Sequence, residues 1–578
     1  MELLRKMEDW EEAGTIGDGP EEAREAVRSG TWKALLALRY GLFCPTHPPP
    51  RPDPGSSDGP GLHPDPWDAN QLHWRNYLFQ HETRVSAWYF PQGSHWETVA
   101  AIGQALKAAR AEGRRLRVIG GGQSASAVSK PDEAGHLLQL DACDFVEDPP
   151  YLPPGTATEE LAWCGAGIRV VNLNRKLEAR NQEMPNMGGY NGQTLAGALC
   201  TGTHGSGIGI PSLFGVIASI WVVVLAEDGE PELRIVEPTA GLSDPGLIPG
   251  LLPIRCRLWW DDTAFQAVCL GMGWLGVVFA MTLRVARRYW LCQTREMSSW
   301  KQASPHIDAW VRSHRTLELV LSPHPCWQQD GRFDHSCLVV RRDAVPPERV
   351  PAWPTACIMG LFDELLRRHP VEGTSIAEAL EHLAGRRNLG AFLHRSLEDL
   401  QVRDFRSAVP NVLLLRYGNH ARVKSSEILF RYADAIRGIE AVLRFLREQA
   451  SAGRVATCPL GVRFIASTPG PLSPFDWGDG SATCSIEVPL FLHPDGRGWG
   501  RMAVEDFLDD LYAAVRHIPA RLHWGQYHRM DRASLLAAYG AERVAAFERV
   551  WADFNPTGVT GNAVSDRLGF GGRTLQAR

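Results

Sequence analysis

The hydrophobic pattern of the chain changes repeatedly between the helical and the strand period. Apolar residues at helical spacing predict a helix over Trp96–Glu112 and a longer one that begins near Tyr432. Short apolar runs next to glycines predict strands, and this mixture is typical of an α+β or α/β fold. The predicted strands are Leu116–Ile119, Leu137–Leu140, Ile217–Leu225, Gly276–Val285, Leu317–Leu321, Cys337–Arg341 and Gly461–Ser467.

The same pattern divides the chain into blocks. Residues 1–70 combine helical spacing with a proline-rich stretch, which predicts an N-terminal helix followed by an extended arm. A first compact block is predicted over 71–290 and a second over 291–515. The segment 516–578 follows as a separate unit.

Composition and charge exclude several classes of function. With 44% apolar and 22% charged residues, the chain has the composition of an ordinary soluble globular protein. A net charge of −6 argues against nucleic-acid binding. The longest apolar stretch, Leu213 to Ala226, is shorter than the roughly 20 residues that span a bilayer, so it predicts a buried strand after a loop.

Cysteine spacing and the N-terminus suggest the compartment. The 12 cysteines form neither a C-x-x-C pair nor a Cys/His cluster with zinc spacing, so no metal site is predicted. Reduced thiols, together with an N-terminus that has no apolar signal-peptide core, predict a cytoplasmic protein.

A first glycine loop follows the predicted strand Leu116–Ile119. Gly120, Gly122 and Ala125 satisfy the spacing G-x-G-x-x-A, and Asp141 lies about 20 residues further on, as in a Rossmann dinucleotide loop. A Rossmann loop opens a helix, however, and the polar run up to Pro131 has no apolar helical face. The sequence predicts a dinucleotide site without Rossmann geometry.

A second glycine cluster occupies residues 188–209. Glycines allow backbone N–H groups to approach a ligand closely, and such groups can bind a diphosphate without a basic side chain. Either cluster alone could be a set of tight turns. The two together favour an extended dinucleotide bound across both.

These motifs carry a family resemblance. Residues 117–124, the run 195–207 and the segment 262–278 resemble the vanillyl-alcohol-oxidase/PCMH-type FAD-binding superfamily. The C-terminal motifs, His523 to Gln526 and Asn555 to Gly558, are similar to the H-W-x-K and D-P-x-G motifs of sugar-1,4-lactone oxidases and alditol oxidases.

The resemblance implies an α+β protein with two lobes, in which an α/β substrate (cap) domain is inserted into a PCMH-type FAD-binding domain that the C-terminal segment completes. The usual reaction of this family is hydride transfer from a CH–OH group of a small molecule to the flavin, often with O₂ as electron acceptor. The implied cofactor-binding residues are Gly120, Gly121, Gly122, Gln123, Ser124, Thr194, Gly197, Thr201, Gly202, His204, Gly205, Gly207 and Val277.

Two departures from the family pattern affect the cofactor and the substrate strand. Many relatives have histidine at the position of Gln123 and use it to bond the flavin covalently, so non-covalent FAD is expected here. The segment Leu460 to Phe464 resembles the family's E-x-R strand, with Gly461 at the acidic position and Arg463 retained. Arg463 could bind a substrate oxygen, or it could pair with a nearby carboxylate.

A third departure is Gln526 at the family's lysine position, where a neutral amide stabilises negative charge less than a cation does. His523 is retained, as a catalytic candidate or as a packed, hydrogen-bonded residue. Tyr527 and His528 are further candidates for proton transfer. Glu427, expected at the start of the long helix, could restore an acid in the cleft or could be an exposed helix charge.

The leading interpretation is an FAD-dependent oxidase or dehydrogenase acting on CH–OH donors. Because Gln123, Gly461 and Gln526 reduce the charged groups of the site, we expect a substrate less polar than a sugar lactone, in secondary metabolism. Two alternatives are a flavoenzyme for desaturation, cyclisation or C–N oxidation, and a non-catalytic FAD-binding protein.

Overall fold

The computed structural model of the chain describes most of the two compact blocks and of the C-terminal segment. The predicted N-terminal helix and extended arm lie outside the described residues, as do residues 348–388. The described ranges are 72–78, 80–248, 254–347, 389–413, 423–493 and 496–571.

The helix predicted over Trp96–Glu112 is present as His95–Ala111. Ser94 caps its N-terminus in a capping box with Glu97, which satisfies N–H groups that a helix start leaves without partners. Its buried face includes Val99, Ile102, Leu106 and Ala109, as the apolar spacing predicted.

Two larger sheets form the first lobe together with two small antiparallel strand pairs, β1-β2 and β8-β13. A three-stranded parallel sheet has the order β3-β5-β4, and a six-stranded sheet has the order β11-β10-β9-β12-β7-β6. The central strand β9 is buried along its whole length, which explains its continuous apolar sequence. The strands are β1 His73–Arg75, β2 Glu82–Arg84, β3 Ala87–Tyr89, β4 Leu116–Ile119, β5 His136–Gln139, β6 Val146–Glu147, β7 Leu161–Gly165, β8 Gln182–Glu183, β9 Ile217–Leu225, β10 Pro231–Glu237, β11 Arg255–Trp260, β12 Val277–Arg284 and β13 Ala286–Arg287.

An eight-stranded antiparallel sheet forms the second lobe, in the order β17-β14-β16-β15-β19-β20-β18-β21. The long helix Ala435–Ser451 packs on this sheet through an apolar stripe that includes Ile439, Leu443 and Leu446. The strands are β14 Trp290–Ser299, β15 Thr316–Trp327, β16 Phe333–Val345, β17 Val402–Ala408, β18 Val423–Arg431, β19 Leu460–Ile465, β20 Thr483–Phe491 and β21 Ala520–Leu522.

The last part of the chain returns to the first lobe. The backbone N–H of Leu116 donates to Val559 O at 2.8 Å. The buried guanidinium of Arg117 donates to Gly273 O and to Thr560 O, and burial lowers its pKa to about 9. Residues from two distant parts of the chain therefore bind to β4.

The remaining helices connect the strands or cover the sheets. The α-helices are Val170–Ala179, Leu195–Leu199, Asp262–Cys269, Trp300–Ala303, Ile307–Ser313, Val409–Leu413, Val504–Val515, Arg532–Tyr539, Ala541–Phe554 and Ala563–Arg567. Short 3₁₀ turns lie at Ala127–Ser129, Leu213–Val216, Pro245–Leu247, Ser304–His306, Tyr432–Asp434 and Trp499–Arg501. The turn at Ala127 takes the place of the helix that a Rossmann loop would open, as the sequence predicted.

Within the described ranges, no helix combines the length and the apolar character needed to cross a membrane. The ten cysteines of these ranges are all free thiols.

Candidate active site

A cleft runs between the glycine loops of the first lobe and one face of the eight-stranded sheet. One end is lined by the loop after β4 and by the helix Leu195–Leu199. The other end is lined by side chains of β18, β19 and β20 and by the turn after β21. Both sets of residues that the sequence singled out therefore meet in one cleft.

The first glycine loop, residues 120–124, is held from both sides. Gly122 has φ of 63°, a conformation that favours glycine, and its carbonyl accepts from Tyr77 N at 2.8 Å. The Ala125 N–H donates to Gly525 O at 2.9 Å. Between these anchors, the backbone N–H groups of residues 121–124 donate to no group of the described chain, although all four residues line the cleft. Such a row of unpartnered donors suits a diphosphate.

Gln123 extends this loop into the cleft with an amide that is buried and unpaired. Neither its Nε2 nor its Oε1 has a hydrogen-bond partner among the residues described. A buried amide without partners costs free energy unless a ligand supplies them. The position that carries the covalent histidine in many relatives thus presents one donor and one acceptor to a bound molecule.

The second glycine segment packs directly against the first. A side chain on Gly121 would place its Cβ 2.7 Å from Gly192 O, and one on Gly120 would collide with Thr194 Oγ1. Thr194 caps the helix Leu195–Leu199 by accepting from Gly197 N at 3.3 Å. Thr194, Gly197, Thr201 and His204 line the cleft, as predicted for cofactor-binding residues.

Four other predicted cofactor-binding residues are absent from the cleft lining. The strand period turns Val277 into the core of the six-stranded sheet, and its neighbours Gly276 and Val278 face the cleft. Gly205 instead packs tightly against Asn186, and Gly207 donates to Phe464 O. The fourth, Gly202, accepts a hydrogen bond through its carbonyl from His523.

Arg463 is bracketed by two carboxylates at the far end of the cleft. Its Nε donates to Glu318 Oε1 at 3.1 Å, and its Nη1 donates to Glu487 Oε2 at 3.2 Å. Burial alone would lower the pKa of Arg463, but these two carboxylates raise it above its ordinary value. Burial also opposes ionisation of Glu318, yet Arg463 and Arg342 lower its pKa to about 2. Glu318 and Arg463 are therefore a charged pair at neutral pH.

Glu427 forms a second buried pair with His204. His204 Nε2 lies 2.8 Å from Glu427 Oε1, which also accepts from the Ser485 hydroxyl. Burial would raise the pKa of Glu427, but the neighbouring imidazoles of His204 and His523 outweigh burial and lower it. Glu427 lies in the middle of β18, so the expectation that it begins the long helix is wrong: that helix starts at Ala435.

Both ring nitrogens of His523 form hydrogen bonds with the backbone. Its Nε2 lies 2.8 Å from Gly202 O, and its Nδ1 accepts from Gly525 N at 3.1 Å. Burial lowers its pKa, which favours the neutral imidazole. Together with His204 and Glu427 it brings three ligand-type atoms within 4.8 Å, but hydrogen bonds already use these atoms.

Gln526, in the turn after β21, forms hydrogen bonds with Glu487 and Ser425. Its Nε2 donates to Glu487 Oε1 at 3.1 Å, and its Oε1 accepts from the Ser425 hydroxyl. Tyr527 and His528, the further candidates for proton transfer, do not line the cleft. The Tyr527 hydroxyl contacts Asp509, and burial lowers the pKa of His528 to about 3.

The sequence interpretation missed Glu487 and Glu318, the two partners of Arg463. They belong to β20 and β15, which flank β19 in the sheet. Strand neighbours that are distant in sequence cannot be read from periodicity. The available signal was weak: each glutamate is the only acidic residue of its strand.

The cleft geometry agrees with the comparisons to known families. Residues 95–231 match the model of an FAD binding domain, and residues 424–568 match the model of D-arabinono-1,4-lactone oxidase. These two matches support the resemblance of the chain to the vanillyl-alcohol-oxidase/PCMH-type superfamily of FAD-binding flavoproteins. In this flavoprotein the first match contains both glycine loops, and the second contains Glu427, Arg463, Glu487 and Gln526.

Individual relatives of the flavoprotein are distant. D-arabinono-1,4-lactone oxidase of Eremothecium gossypii is 26% identical over 257 residues, which are 44% of this chain and 41% of that protein. The matched part thus covers less than half of that fungal relative. L-gulono-1,4-lactone dehydrogenase of Mycobacterium tuberculosis is 24% identical over 473 residues, 81% of this chain and 92% of that protein.

Solved structures show the same fold. A solvent-stable cholesterol oxidase superposes with a TM-score of 0.65 at 14% identity, over 88% of this chain and 100% of that one. Cholesterol oxidase from B. sterolicum gives a TM-score of 0.64 at 12% identity, over 88% and 99% of the two chains. The α+β, two-lobed PCMH-type architecture is confirmed.

The cofactor of this flavoprotein is FAD, and the residues of the cleft fit it. The unpartnered N–H groups of residues 121–124 suit its diphosphate, and the open Gln123 amide offers hydrogen bonds to a polar ring system. The acid and guanidinium groups lie at the other end of the same cleft, where a substrate can reach them.

Proposed function

We propose that this flavoprotein oxidises the CH–OH group of a small hydroxylated molecule. The observation that carries the proposal is the single cleft that joins the glycine loops to the cluster of Arg463, Glu487, Glu427 and Gln526. Bound FAD supplies the two-electron acceptor. The relatives named as lactone oxidase and lactone dehydrogenase support a carbinol or lactol donor, with O₂ as an electron acceptor.

In this proposal the first lobe and the C-terminal segment bind FAD, while the eight-stranded sheet forms the substrate side. Arg463 anchors a substrate oxygen, because Nε and Nη1 are bonded to carboxylates and Nη2 makes no hydrogen bond among the described residues. Gln526 holds Glu487 in place, Glu427 holds His204, and His523 positions the backbone at Gly202.

We further propose that FAD is bound without a covalent link, since a glutamine amide at position 123 lacks a nucleophilic ring nitrogen. Acid precipitation of the purified protein tests this directly. Yellow colour released into the supernatant agrees with the proposal, and colour retained in the pellet contradicts it.

A substrate less polar than a sugar lactone, secondary metabolism and a cytoplasmic location stay predictions. The prediction of a less polar substrate was based on three positions, and one of them is Gly461. The surroundings of Gly461 differ from those expected, because Glu487 brings a carboxylate next to it. The prediction of a less polar substrate now depends on Gln526 and Gln123.

Anaerobic mixing with alcohols tests the proposed reaction. The panel contains aldonolactones, alditols and apolar secondary alcohols, and the signal is loss of the flavin absorbance. Bleaching by at least one group of compounds is expected, and peroxide formed on admitting air identifies O₂ as an acceptor. If none of the three groups bleaches the flavin, the proposed function is wrong.

A further inference from the structure

Glu487 lies opposite Gly461, which has no side chain to fill the space on that face of the sheet. Gly461 pairs with Glu487 across β19 and β20, and Glu487 pairs with Glu427 across β20 and β18. Paired residues point to the same face, with Cβ atoms roughly 4.5–5.5 Å apart. The three positions therefore form a row on the face that lines the cleft.

The missing side chain at position 461 leaves part of Arg463 open. A Cβ built on Gly461 would meet Arg463 Nη2 first, at 3.6 Å, which is ordinary contact. Nη2 is the nitrogen that neither Glu318 nor Glu487 uses. A substrate oxygen can thus occupy the space above Gly461 and accept a hydrogen bond from Nη2.

The two acids of the row differ in their partners. Glu427 Oε1 accepts from both His204 and Ser485, and Glu427 is stabilised as an anion. Glu487 accepts one hydrogen bond on each oxygen, from Arg463 and from Gln526. A carboxylate oxygen has two lone-pair sites, so each oxygen of Glu487 can accept another donor.

The surroundings of Glu487 raise the pKa of its carboxyl group. Burial raises its pKa, Arg463 lowers it, and the charge of Glu427 raises it, with a net shift above the ordinary value. His204 and the half-buried Tyr190 also face this carboxylate. A general base works best when its pKa is close to the working pH, and Glu487 is moved toward that range while Glu427 is moved away from it.

We propose that Glu487 is the catalytic base of this flavoprotein and that its substrate is a neutral alcohol anchored on Arg463 Nη2. Two carboxylates already balance the charge of Arg463, which disfavours an anionic ligand. The assignment rests on the proposed function. In the step, the substrate O–H bond breaks and its proton goes to a Glu487 carboxylate oxygen. The C–H hydrogen leaves with its electron pair as hydride to FAD, so that a C=O bond forms while the carbinol is oxidised and FAD is reduced.

The kinetic test compares Glu487→Gln with wild-type holoenzyme by anaerobic stopped-flow bleaching. The substrate is whichever alcohol of the panel bleaches the wild type fastest. We expect the rate to fall about 10²–10⁴-fold, the range for loss of a general base, while the substrate Kd from the flavin difference spectrum changes less than tenfold. Glu296→Gln is the matched control. It removes the partner of Arg341 on the same sheet and should bleach at the wild-type rate.

A carboxylate placed on the neighbouring strand β19 should partly restore the bleaching rate. Gly461→Glu in the Glu487→Gln background places an acid on the paired position, and we expect the bleaching rate to recover at least tenfold over the single variant. If Glu487→Gln releases FAD, Glu487→Asp replaces it, with an expected loss of at least tenfold. A wild-type rate in Glu487→Gln or Glu487→Asp overturns the assignment and leaves the proposed function standing.

An infrared titration gives a readout that needs no turnover. The wild-type holoenzyme should show a protonated-carboxyl band that titrates above the ordinary range of glutamate and is missing in Glu487→Gln but present in Glu296→Gln. The same band in Glu487→Gln overturns the assignment. A wild type that no alcohol bleaches, with the Glu487 band present, instead identifies the proposed function as the part that fails.

Discussion

The imidazole of His204 and the carboxylate of Glu427 form a buried pair, with 2.8 Å between His204 Nε2 and Glu427 Oε1. His204 Nδ1 also faces an acceptor, Gly205 O at 2.9 Å. Both ring nitrogens of His204 therefore lie within hydrogen-bond distance of an oxygen atom. This pair joins the second glycine segment to β18 and therefore joins the two lobes.

Breaking this pair should destabilise the protein strongly. Glu427→Gln removes the charged acceptor that His204 and Ser485 share, and a hydrogen bond to a charged group contributes about 1.5–3 kcal/mol. Urea unfolding at saturating FAD measures the change. Asp228→Asn is the control, because it breaks an exposed pair with Arg255 and should have no measurable effect. A Glu427→Gln protein as stable as wild type would contradict a stabilising role for this carboxylate.

Gln123 should contribute directly to FAD affinity. Gln123→Ala removes an amide whose donor and acceptor have no partner in the described chain, and each lost hydrogen bond costs about 0.5–1.5 kcal/mol. We expect the Kd of FAD for the apoprotein to rise about tenfold, measured by the quenching of FAD fluorescence. Gln329→Ala, on the surface against Glu398, should leave the Kd unchanged. Equal Kd values for Gln123→Ala and wild type would place the amide outside the cofactor contacts.

A cation at position 526 should shift the pH profile of flavin reduction. If Glu487 is the base, its deprotonated form is active, and the rate rises with pH through its pKa. Lysine in Gln526→Lys puts a positive charge next to Glu487, and a neighbouring opposite charge lowers a carboxyl pKa by about 1–3 units. The rising limb should move to lower pH by that amount. Gln526→Met, which adds no charge, should not move it downward, and an identical shift in both variants would exclude the electrostatic cause.

Glu318 should make the fold sensitive to acid. Its pKa in the folded protein is about 2 against an ordinary value of 4.5, so between these values the unfolded chain binds the extra proton. The stabilisation is complete above the ordinary value and is lost as pH falls toward 2. It amounts to about 3 kcal/mol, since one pKa unit corresponds to about 1.4 kcal/mol.

The measurement is the free energy of unfolding of the FAD-free protein at a series of pH values. Wild type should lose about 3 kcal/mol more than Glu318→Gln between the ordinary glutamate range and pH 2. Glu82→Gln, at an exposed position, should follow the wild-type curve. Parallel curves for wild type and Glu318→Gln would show that Arg463 and Arg342 do not hold this carboxylate ionised.

Local features of the fold were predictable because they depend on residues close in sequence. The helix Trp96–Glu112 and the strand Leu116–Ile119 follow from periodicity, and Pro131 correctly excluded a Rossmann helix. Glu427 shows the opposite case. The sequence interpretation puts it at the start of the long helix, whereas pairing with β20 and β21 makes its segment a strand of the sheet.

The candidate site was predictable only where single residues carry the signal. Arg463 and Gln526 could be placed by family motifs, and both line the cleft. Glu487 could not, because its importance comes from the register between β19 and β20. Val277 shows a second limit of motifs. A motif identifies the segment that contacts the cofactor, but it does not show which residues of the strand face the cleft. A shift of one residue along a strand moves a side chain from the cleft to the core.

The anchoring of the first glycine loop sets an order of events for the nascent chain. Ser126 Oγ donates to Trp524 O at 2.6 Å, and 398 residues separate the two. At ribosomal speeds of about 5–20 residues per second, the loop is made about 20–80 s before its anchor exists. FAD therefore meets an anchored loop only after Trp524 has been synthesised.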